Sequence, residues 1–201
     1  MSLYQSPPEV LEIDGKTYPI DTDFRTWIRF QSIMVKDNTD EEKTADLLQF
    51  ISELGLPFSE MPLQKTLAAI VDFYTAGDSR RTEERKKPTY NFETDSNFIF
   101  SAFLTQYGAD LMQEKIHWWK FKAMFSSLSQ DHMISKIMWA RGADTKDMSE
   151  DMKKYVEDIR KHYPLSTNTV YTRKMTLEER NQKWLDYVAK RFEETKESDL
   201  S

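Results

Sequence analysis

The chain has few side chains of the types that carry chemistry, and their spacing forms no catalytic or metal-binding motif. It contains no cysteine and three histidines, at positions 117, 132 and 162. A helical zinc site needs two histidines four residues apart, and thiolate chemistry needs cysteine, so neither is available. His117 adjoins the pair Trp118-Trp119. We interpret it as a hydrogen-bonded residue at the edge of a core.

Acidic side chains cluster near residue 147, where they could meet a cation: Asp144, Asp147, Glu150 and Asp151. Because the cluster lies around a predicted helix start, these residues more simply cap the helix and complement its dipole. A serine nucleophile would need a strand-turn-helix elbow, and the sequence has none. We therefore predict no catalytic, metal-binding or cofactor-binding residues, no cofactor, and a protein that is not an enzyme.

The five glycines are all accounted for by turns and helix ends. Gly15 follows Asp14 in a predicted hairpin turn, and the other four stand at predicted helix ends: Gly55, Gly77, Gly108 and Gly142. A loop that cradles nucleotide phosphates needs glycines grouped before a helix. A nucleotide-binding fold of the usual kinds is therefore disfavoured.

Two stretches raise the question of nucleic-acid binding. The run Trp118–Lys122 combines aromatic side chains with lysines, and residues 78–87 hold five basic and three acidic side chains. The net charge of -6 opposes attraction to a polyanion. We interpret the first stretch as core and the second as a solvated loop. An alternative hypothesis for the protein is a nucleic-acid-binding regulator that uses Arg80 to Lys87.

The composition is that of a folded protein. Hydrophobic residues make up 39% of the 201 residues, aromatic residues 13% and charged residues 31%, a balance too apolar for a disordered chain. There is no signal-peptide pattern, and no apolar run approaches the ~20 residues of a membrane span. We expect a soluble intracellular protein that binds neither nucleic acid nor membrane.

Alternation and helical spacing predict a mainly α fold, a multi-helix bundle-like domain with a small N-terminal β-hairpin. Asp14-Gly15 stands between two alternating segments, and a primed hairpin turn needs positive φ at both positions. Thr39 and Glu42 have the spacing of a capping box. Helices are predicted from Thr22 or Asp23, from Thr39, from near Ser59, from Asn91, from Asp110, from Ser129, from about Thr145 to His162, and from Thr176.

The stretch from Thr89 to Leu128 is the most aromatic of the chain, and we predict two helices that meet at Gly108. The first has one apolar stripe of Phe98, Ile99, Ala102 and Phe103 and another of Phe100, Leu104 and Tyr107. The second has two apolar faces at about 100° per residue, so we predict that it is sandwiched between layers. The faces are Trp118, Phe121, Phe125 and Leu128, and opposite them Met112, Ile116, Trp119 and Ala123.

The predicted organisation is one helical domain over residues 9–163 and a C-terminal segment over 164–201. The domain divides into the hairpin (9–20), a first helical part (23–77), a polar loop (78–88) and a central helical part (89–163). The C-terminal segment is predicted to begin extended and to end in an amphipathic helix. We predict a partner-binding or self-association face on that helix, formed by Trp184, Leu185, Val188 and Phe192. Packing of the helix on its own domain is the alternative.

The central stretch carries a long ordered pattern. It reads Tyr90-x-Phe92-Glu93-x-Asp95, Phe98-Ile99-x-x-Ala102-Phe103-Leu104-x-Gln106-Tyr107-Gly108, Leu111, His117-Trp118-Trp119-Lys120-Phe121, Phe125-x-x-Leu128, Ser135-Lys136-Ile137-Met138 and Arg141. This pattern resembles the bacteriophage family called gene product fifteen, found in long-tailed phages and prophages of Gram-positive bacteria. The resemblance covers roughly Val10 to Tyr163.

The resemblance implies a non-enzymatic tail assembly chaperone, because genes of this family lie in the tail module beside those for the major tail protein and the tape-measure protein. The implied partners are the tape-measure protein, the tail tube protein and further copies of the chain in a homo-oligomer. The implied location is the cytoplasm of the bacterial host, with absence from the mature virion. The alternative is a structural component of the virion tail or neck.

Overall fold

A computed structural model describes residues 4, 6–36, 39–57, 61–76 and 88–165. Within these ranges the chain forms a two-stranded hairpin and seven helices, which confirms the mainly α fold with an N-terminal hairpin. The described residues fall into two compact units, one from β1 to α3 and one from α4 to α7. The elements are β1 Val10–Ile13, β2 Lys16–Pro19, α1 Phe24–Val35, α2 Asp40–Glu53, α3 Leu63–Thr75, α4 Ser96–Tyr107, α5 Trp118–Ser126, α6 Met133–Gly142 and α7 Glu150–His162.

The hairpin turns at Asp14-Gly15, as predicted. Asp14 has φ 55° and Gly15 has φ 75°, the positive values that a primed turn requires. Leu11 and Ile13 are each 3% exposed, and β1 packs against α3. The hairpin therefore buries one face on a helix, which is how a pair of strands too small to be stable alone is held.

A lysine of α3 reaches the tip of the hairpin. Lys65 Nζ donates a hydrogen bond to Asp14 Oδ1 at 2.5 Å. This bond, helped by the positive charge of Lys65, holds the pKa of the Asp14 carboxyl below its usual range. Both side chains are more than half exposed, so the bond orients the turn and adds little stability.

Two helix starts in the first unit follow the predicted capping signals, and a third does not. Asp23 caps α1, and Thr39 with Glu42 forms the capping box of α2. The predicted start of α3 near Ser59 is wrong, because α3 begins at Leu63 with Pro62 as its N-cap. Pro62 disfavours the helical conformation for Met61, the residue before it, which agrees with a helix that begins after the proline.

Trp27 is the centre of the core of the first unit. It is 0% exposed, and its ring lies 6.0 Å from Phe30, 6.0 Å from Phe50 and 4.4 Å from Phe73. These three partners come from α1, α2 and α3. One indole ring therefore joins all the helices of the unit, and edge and tilted contacts of this kind add to the burial free energy.

The first helix of the second unit starts later than predicted. Asn91 does not cap it, because Asn91 Oδ1 accepts hydrogen bonds from the amides of Glu93 and Thr94 within a preceding turn. The helix α4 begins at Ser96, after Asp95. Asp95 is 3% exposed and lies inside the unit, so it is not a solvated partner of the helix dipole.

The predicted sandwiched helix is wrong. Asp110 forms a closed turn, in which its amide donates to Glu114 Oε1 and its Oδ1 accepts from the Met112 amide, each at 2.8 Å. The helix α5 starts only at Trp118, and the helical phase predicted across residues 112–119 is broken. Met112 is 78% exposed and Ala123 is also exposed, so α5 has one buried face.

The last two helices share a small apolar core with α4. Its buried members are Ile137 and Ala140 from α6 and Val156 and Ile159 from α7; partly buried residues that pack on them are Phe98, Met133, Ala143, Met148 and Tyr163. In α7, Val156 is 0% exposed, whereas Tyr155 is 47% exposed. The buried stripe of this helix therefore runs through Val156, and the aromatic residue beside it faces solvent.

The two adjacent tryptophans of α5 are expected to differ in their effect on stability. Trp118 is 2% exposed and Trp119 is half-buried. We expect Trp118→Ala to lower the free energy of unfolding by about 3–5 kcal/mol, as for other buried aromatic residues. Trp119→Ala should cause a smaller loss. Urea unfolding followed by circular dichroism measures both, and equal losses would contradict the assigned burial.

Candidate functional site

The predicted partner-binding face lies outside the described residues. Trp184, Leu185, Val188 and Phe192 all follow Leu165, the last described position, so their role stays a prediction. The described part of the chain holds the other sequence signal, the ordered pattern from Tyr90 to Arg141. Its polar residues show what that pattern does in the structure.

Arg141 and Asp95 form a buried ion pair. The Nη1 atom of Arg141 lies 2.6 Å from Asp95 Oδ2, and Nη2 lies 3.0 Å from Oδ1. The side chains are 6% and 4% exposed. Such a two-point pairing is the strongest geometry available to arginine and carboxylate. It joins the end of α6 to the turn before α4, across 46 positions of sequence.

The guanidinium of Arg141 also binds three backbone carbonyls. It donates to Thr89 O at 3.0 Å, to Tyr163 O at 3.1 Å and to Pro164 O at 3.4 Å. With the two bonds to Asp95, all five N–H groups of the side chain have acceptors. This saturation makes burial of the charge possible, since an unpaired buried charge would be very costly.

The neighbouring glycine has a steric role at the same place. A Cβ atom at Gly142 would lie 3.0 Å from the Thr89 Cγ2 atom. Gly142 ends α6, as predicted, but it has no positive φ. Its small size lets the Thr89 segment come close enough for the Thr89 carbonyl to reach Arg141.

Gln106 and Tyr107 hold the connection between α5 and α6. The amide of Gln106 donates to Ser127 O at 3.0 Å and accepts from the Ser129 amide at 2.8 Å. Tyr107 Oη donates to Met124 O at 2.9 Å. The predicted helix end at Gly108 is confirmed. The side chains of Gln106 and Tyr107 bind backbone groups 17 to 23 positions away in the sequence.

His117 caps the helix that carries the tryptophan pair. Its Nδ1 atom accepts a hydrogen bond from the Trp119 amide at 3.0 Å, which confirms a hydrogen-bonded role at the edge of the core. In the same helix, the ring of Phe121 lies nearly parallel to those of Trp118 and Phe125. Its centroid is 5.9 Å from that of Trp118 and 6.1 Å from that of Phe125. The predicted interpretation of this run as core is confirmed for Trp118 and Phe121, which are buried.

Clusters of metal-ligating side chains were predicted to be absent, and the described ranges bear on this point only for the residues that they include. Among the described residues, no group of three or more His, Cys, Asp or Glu side chains is placed to hold a metal ion. A search of the same ranges for a helix that could cross a bilayer finds none. The polar residues of the pattern from Tyr90 to Arg141 form contacts within the chain.

The second apolar stripe predicted for α4 is present, but the sequence did not show that it lies partly at the surface. Leu104 is 46% exposed and Tyr107 is 36% exposed, and Phe100 is half-buried. The surface that these residues border, hereafter the α4 face, consists of Asn97, Ser101, Leu104 and Thr105 with Phe100 and Tyr107 at its edge. It has no charged side chain. The signal was present in the sequence as a helix with too little charge for a solvated surface.

We expect the Asp95–Arg141 pair to be essential for the stability of its unit. Asp95→Asn leaves the arginine charge buried without its counter-charge, so the free energy of unfolding should fall by about 3–5 kcal/mol. The control is Glu53→Gln, which removes the partner of Arg29 in an exposed pair, with side chains 42% and 50% exposed. The control should change stability far less. Urea unfolding of both variants tests this, and similar losses would refute the assigned role.

A family model described as bacteriophage Gp15 protein matches residues 5–165. No curated protein matches, and no solved structure matches. The matched range includes the hairpin and all seven described helices.

Proposed function

The chain belongs to the bacteriophage Gp15 protein family, and from this we propose that it is a non-enzymatic chaperone of phage tail assembly. The family match over residues 5–165 is the observation that carries the proposal. It makes the protein a structural or assembly protein of a bacteriophage. The finer role rests on the tail-module resemblance of the sequence and on the arrangement of its surface.

The proposed partner is the tape-measure protein, a long helical chain that needs protection until the tail tube forms around it. The tail tube protein and further copies of this chain are the other proposed partners. Two features support such a role. The polar residues of the family pattern are occupied in internal hydrogen bonds, as Arg141 and Gln106 are, and the α4 face is exposed and uncharged.

Weak and repeated binding suits this task. A helix of 12 residues such as α4 is about 18 Å long, so one such surface makes only a small contact. Many copies on one long partner bind tightly through multivalency, although each contact is weak. A weak individual contact also lets the chaperone leave when tube subunits replace it.

The proposed place of action is the cytoplasm of a Gram-positive host, before the tail is complete. In this scheme the chaperone leaves during assembly and is absent from the virion. The predicted C-terminal face of Trp184, Leu185, Val188 and Phe192 provides a second proposed contact. Apolar side chains at this helical spacing form the face with which an amphipathic helix docks into an apolar groove of a partner.

Co-expression tests the chaperone role directly. More of a tape-measure protein from the same phage should be recovered in the soluble fraction when this chain is present. The reason is that this chain would cover the apolar stripes of the tape-measure protein. Asp95→Asn serves as the destabilised control and should lose the effect in proportion to its loss of folded protein. An unchanged soluble yield with the native chain would count decisively against the proposal.

Purified phage particles separate a chaperone from a component of the tail or neck. We expect quantitative mass spectrometry of virions to find this chain absent or far below the copy number of the tail tube protein. Detection at a fixed stoichiometry would favour the structural alternative.

Truncation after Pro164 tests the predicted C-terminal contact. If residues 165–201 bind a partner, the truncated chain should keep its melting temperature and lose part of its tape-measure solubilisation or its oligomer size. Trp184→Ala in the full chain is the matched point variant and should act in the same direction. A large fall in melting temperature with unchanged size would instead mean that the segment packs on its own domain.

A further inference from the structure

The hairpin is the one sheet in the described part of the chain, and it has only two strands. The Ile20 amide donates a hydrogen bond to Glu9 O at 3.1 Å, so these two residues form a hydrogen-bonded pair. In an antiparallel ladder, successive residues turn their N–H and C=O groups alternately towards and away from the partner strand. Because the register continues without a break, the backbone groups of Val10 and Glu12 point away from β2.

The outer edges of the two strands differ in what they offer to a third strand. On β2 the outward residues are Thr17 and Pro19, and proline has no N–H to donate. On β1, Val10 and Glu12 each offer a donor and an acceptor. Among the described residues, none outside the hairpin bonds to the backbone of either one. This outer side of β1, hereafter the β1 edge, is the side at which the sheet can accept a further strand.

The β1 edge is held in place before any strand arrives. The side chains of Leu11 and Ile13 are buried, and β1 packs on α3. Val10 is 40% exposed, and Glu12 is exposed as well. The fold therefore fixes one face of β1 and leaves its outer edge accessible from the described part of the chain.

One stretch of the sequence has the composition of a strand. Five of the six residues at positions 167–172 are Thr, Val or Tyr, which are residues that favour strands. The stretch follows Pro164 and precedes the predicted helix start at Thr176, in the part of the C-terminal segment that is predicted to be extended. It lies outside the described residues. Because a strand is not stable alone in water, such a stretch needs a sheet to join.

The charges of the stretch and of the β1 edge are complementary. β1 and the residue before it carry two exposed carboxylates, Glu9 and Glu12, and no basic side chain. The stretch and the three residues after it carry Arg173 and Lys174 and no acidic side chain. Opposite charges on neighbouring strands stabilise their pairing, and like charges destabilise it. A second copy of β1 at this edge would bring its own two glutamates, so the charges favour the C-terminal stretch over a second copy.

We propose that residues 167–172 add to the β1 edge as a third strand of the sheet. The new strand exchanges backbone hydrogen bonds with Val10 and Glu12. The predicted helix from Thr176 then begins directly after the sheet, so its face around Trp184 is presented from the first unit and not from a free tail. The third strand is independent of the proposed function, since it is inferred from the hairpin and the C-terminal sequence alone.

The third strand adds little to the overall stability of the chain. Ordering six residues costs conformational entropy, which offsets most of the free energy of the new hydrogen bonds. The melting temperature therefore changes little when the strand is lost, and the strand has to be detected at the hairpin itself. Amide hydrogen exchange measures local opening at single residues and is suited to this.

Residue-resolved amide exchange of the full chain, followed by NMR, tests the third strand. After correction for intrinsic rates, the amides of Val10 and Glu12 should exchange on the order of tenfold more slowly than that of Thr17, the factor that corresponds to about one net hydrogen bond. Thr17 is the internal control, because its amide also points outward but lies at the other edge. Equal protection of the three amides overturns the proposal.

A proline variant of the full chain shows which segment covers the edge. Alternate amides of a strand face its neighbour, so Val170→Pro combined with Tyr171→Pro removes a bonding amide in either phase. The extra protection at Val10 and Glu12 should then be lost. Protection that persists in this variant, or that rises with protein concentration as a second copy would cause, overturns the assignment to residues 167–172.

Charge reversal tests the electrostatic part of the pairing. Arg173→Glu combined with Lys174→Glu should reduce the protection of the edge amides, and the further change Glu12→Lys should restore part of it, because opposite charges meet again. The matched control is Lys190→Glu combined with Arg191→Glu, an equal change of charge outside the stretch, which should leave the exchange unchanged. A control that reduces protection as strongly contradicts the proposed pairing.

Discussion

The need to satisfy one buried guanidinium group determines the geometry of the second unit. Arg141 is nearly inaccessible to water, and each of its five N–H groups has an acceptor. Those acceptors come from the Thr89 segment, from Asp95 before α4 and from the end of α7. The ends of α6 and α7 and the start of α4 therefore meet at this point. The buried apolar residues of the same unit are Ile137 and Ala140 from α6 and Val156 and Ile159 from α7.

The polar residues of the family pattern therefore stabilise the fold. Arg141 and Asp95 pair with each other, Gln106 and Tyr107 bind backbone of the α5–α6 connection, and His117 caps α5. Side chains that are committed to internal bonds are poorly placed to recognise a partner. Leu104 also belongs to the pattern, but it is 46% exposed and does not share this internal role.

Local signals in the sequence predicted local structure well. The turn at Asp14-Gly15 and the capping box at Thr39 each depend on a few adjacent residues, and both are present. Hydrophobic periodicity wrongly predicted a continuous helix across residues 112–119. Asp110 and Glu114 close a turn there through a side-chain hydrogen bond, and the spacing of apolar residues does not indicate such a bond. The burial of Asp95 could not be predicted either, since its partner is 46 positions away and only the tertiary fold brings the two together. The exposure of Leu104 was missed because periodicity shows that a stripe is apolar and cannot show whether another element covers it.

The carbonyls of Thr89 and Pro164 bind the same guanidinium, so the two ends of the second unit lie side by side. Tension applied to the chain on either side of the unit would consequently be borne by the Arg141 bonds before it reached any helix. The force that the second unit withstands before it unfolds would therefore depend on the bonds of one side chain.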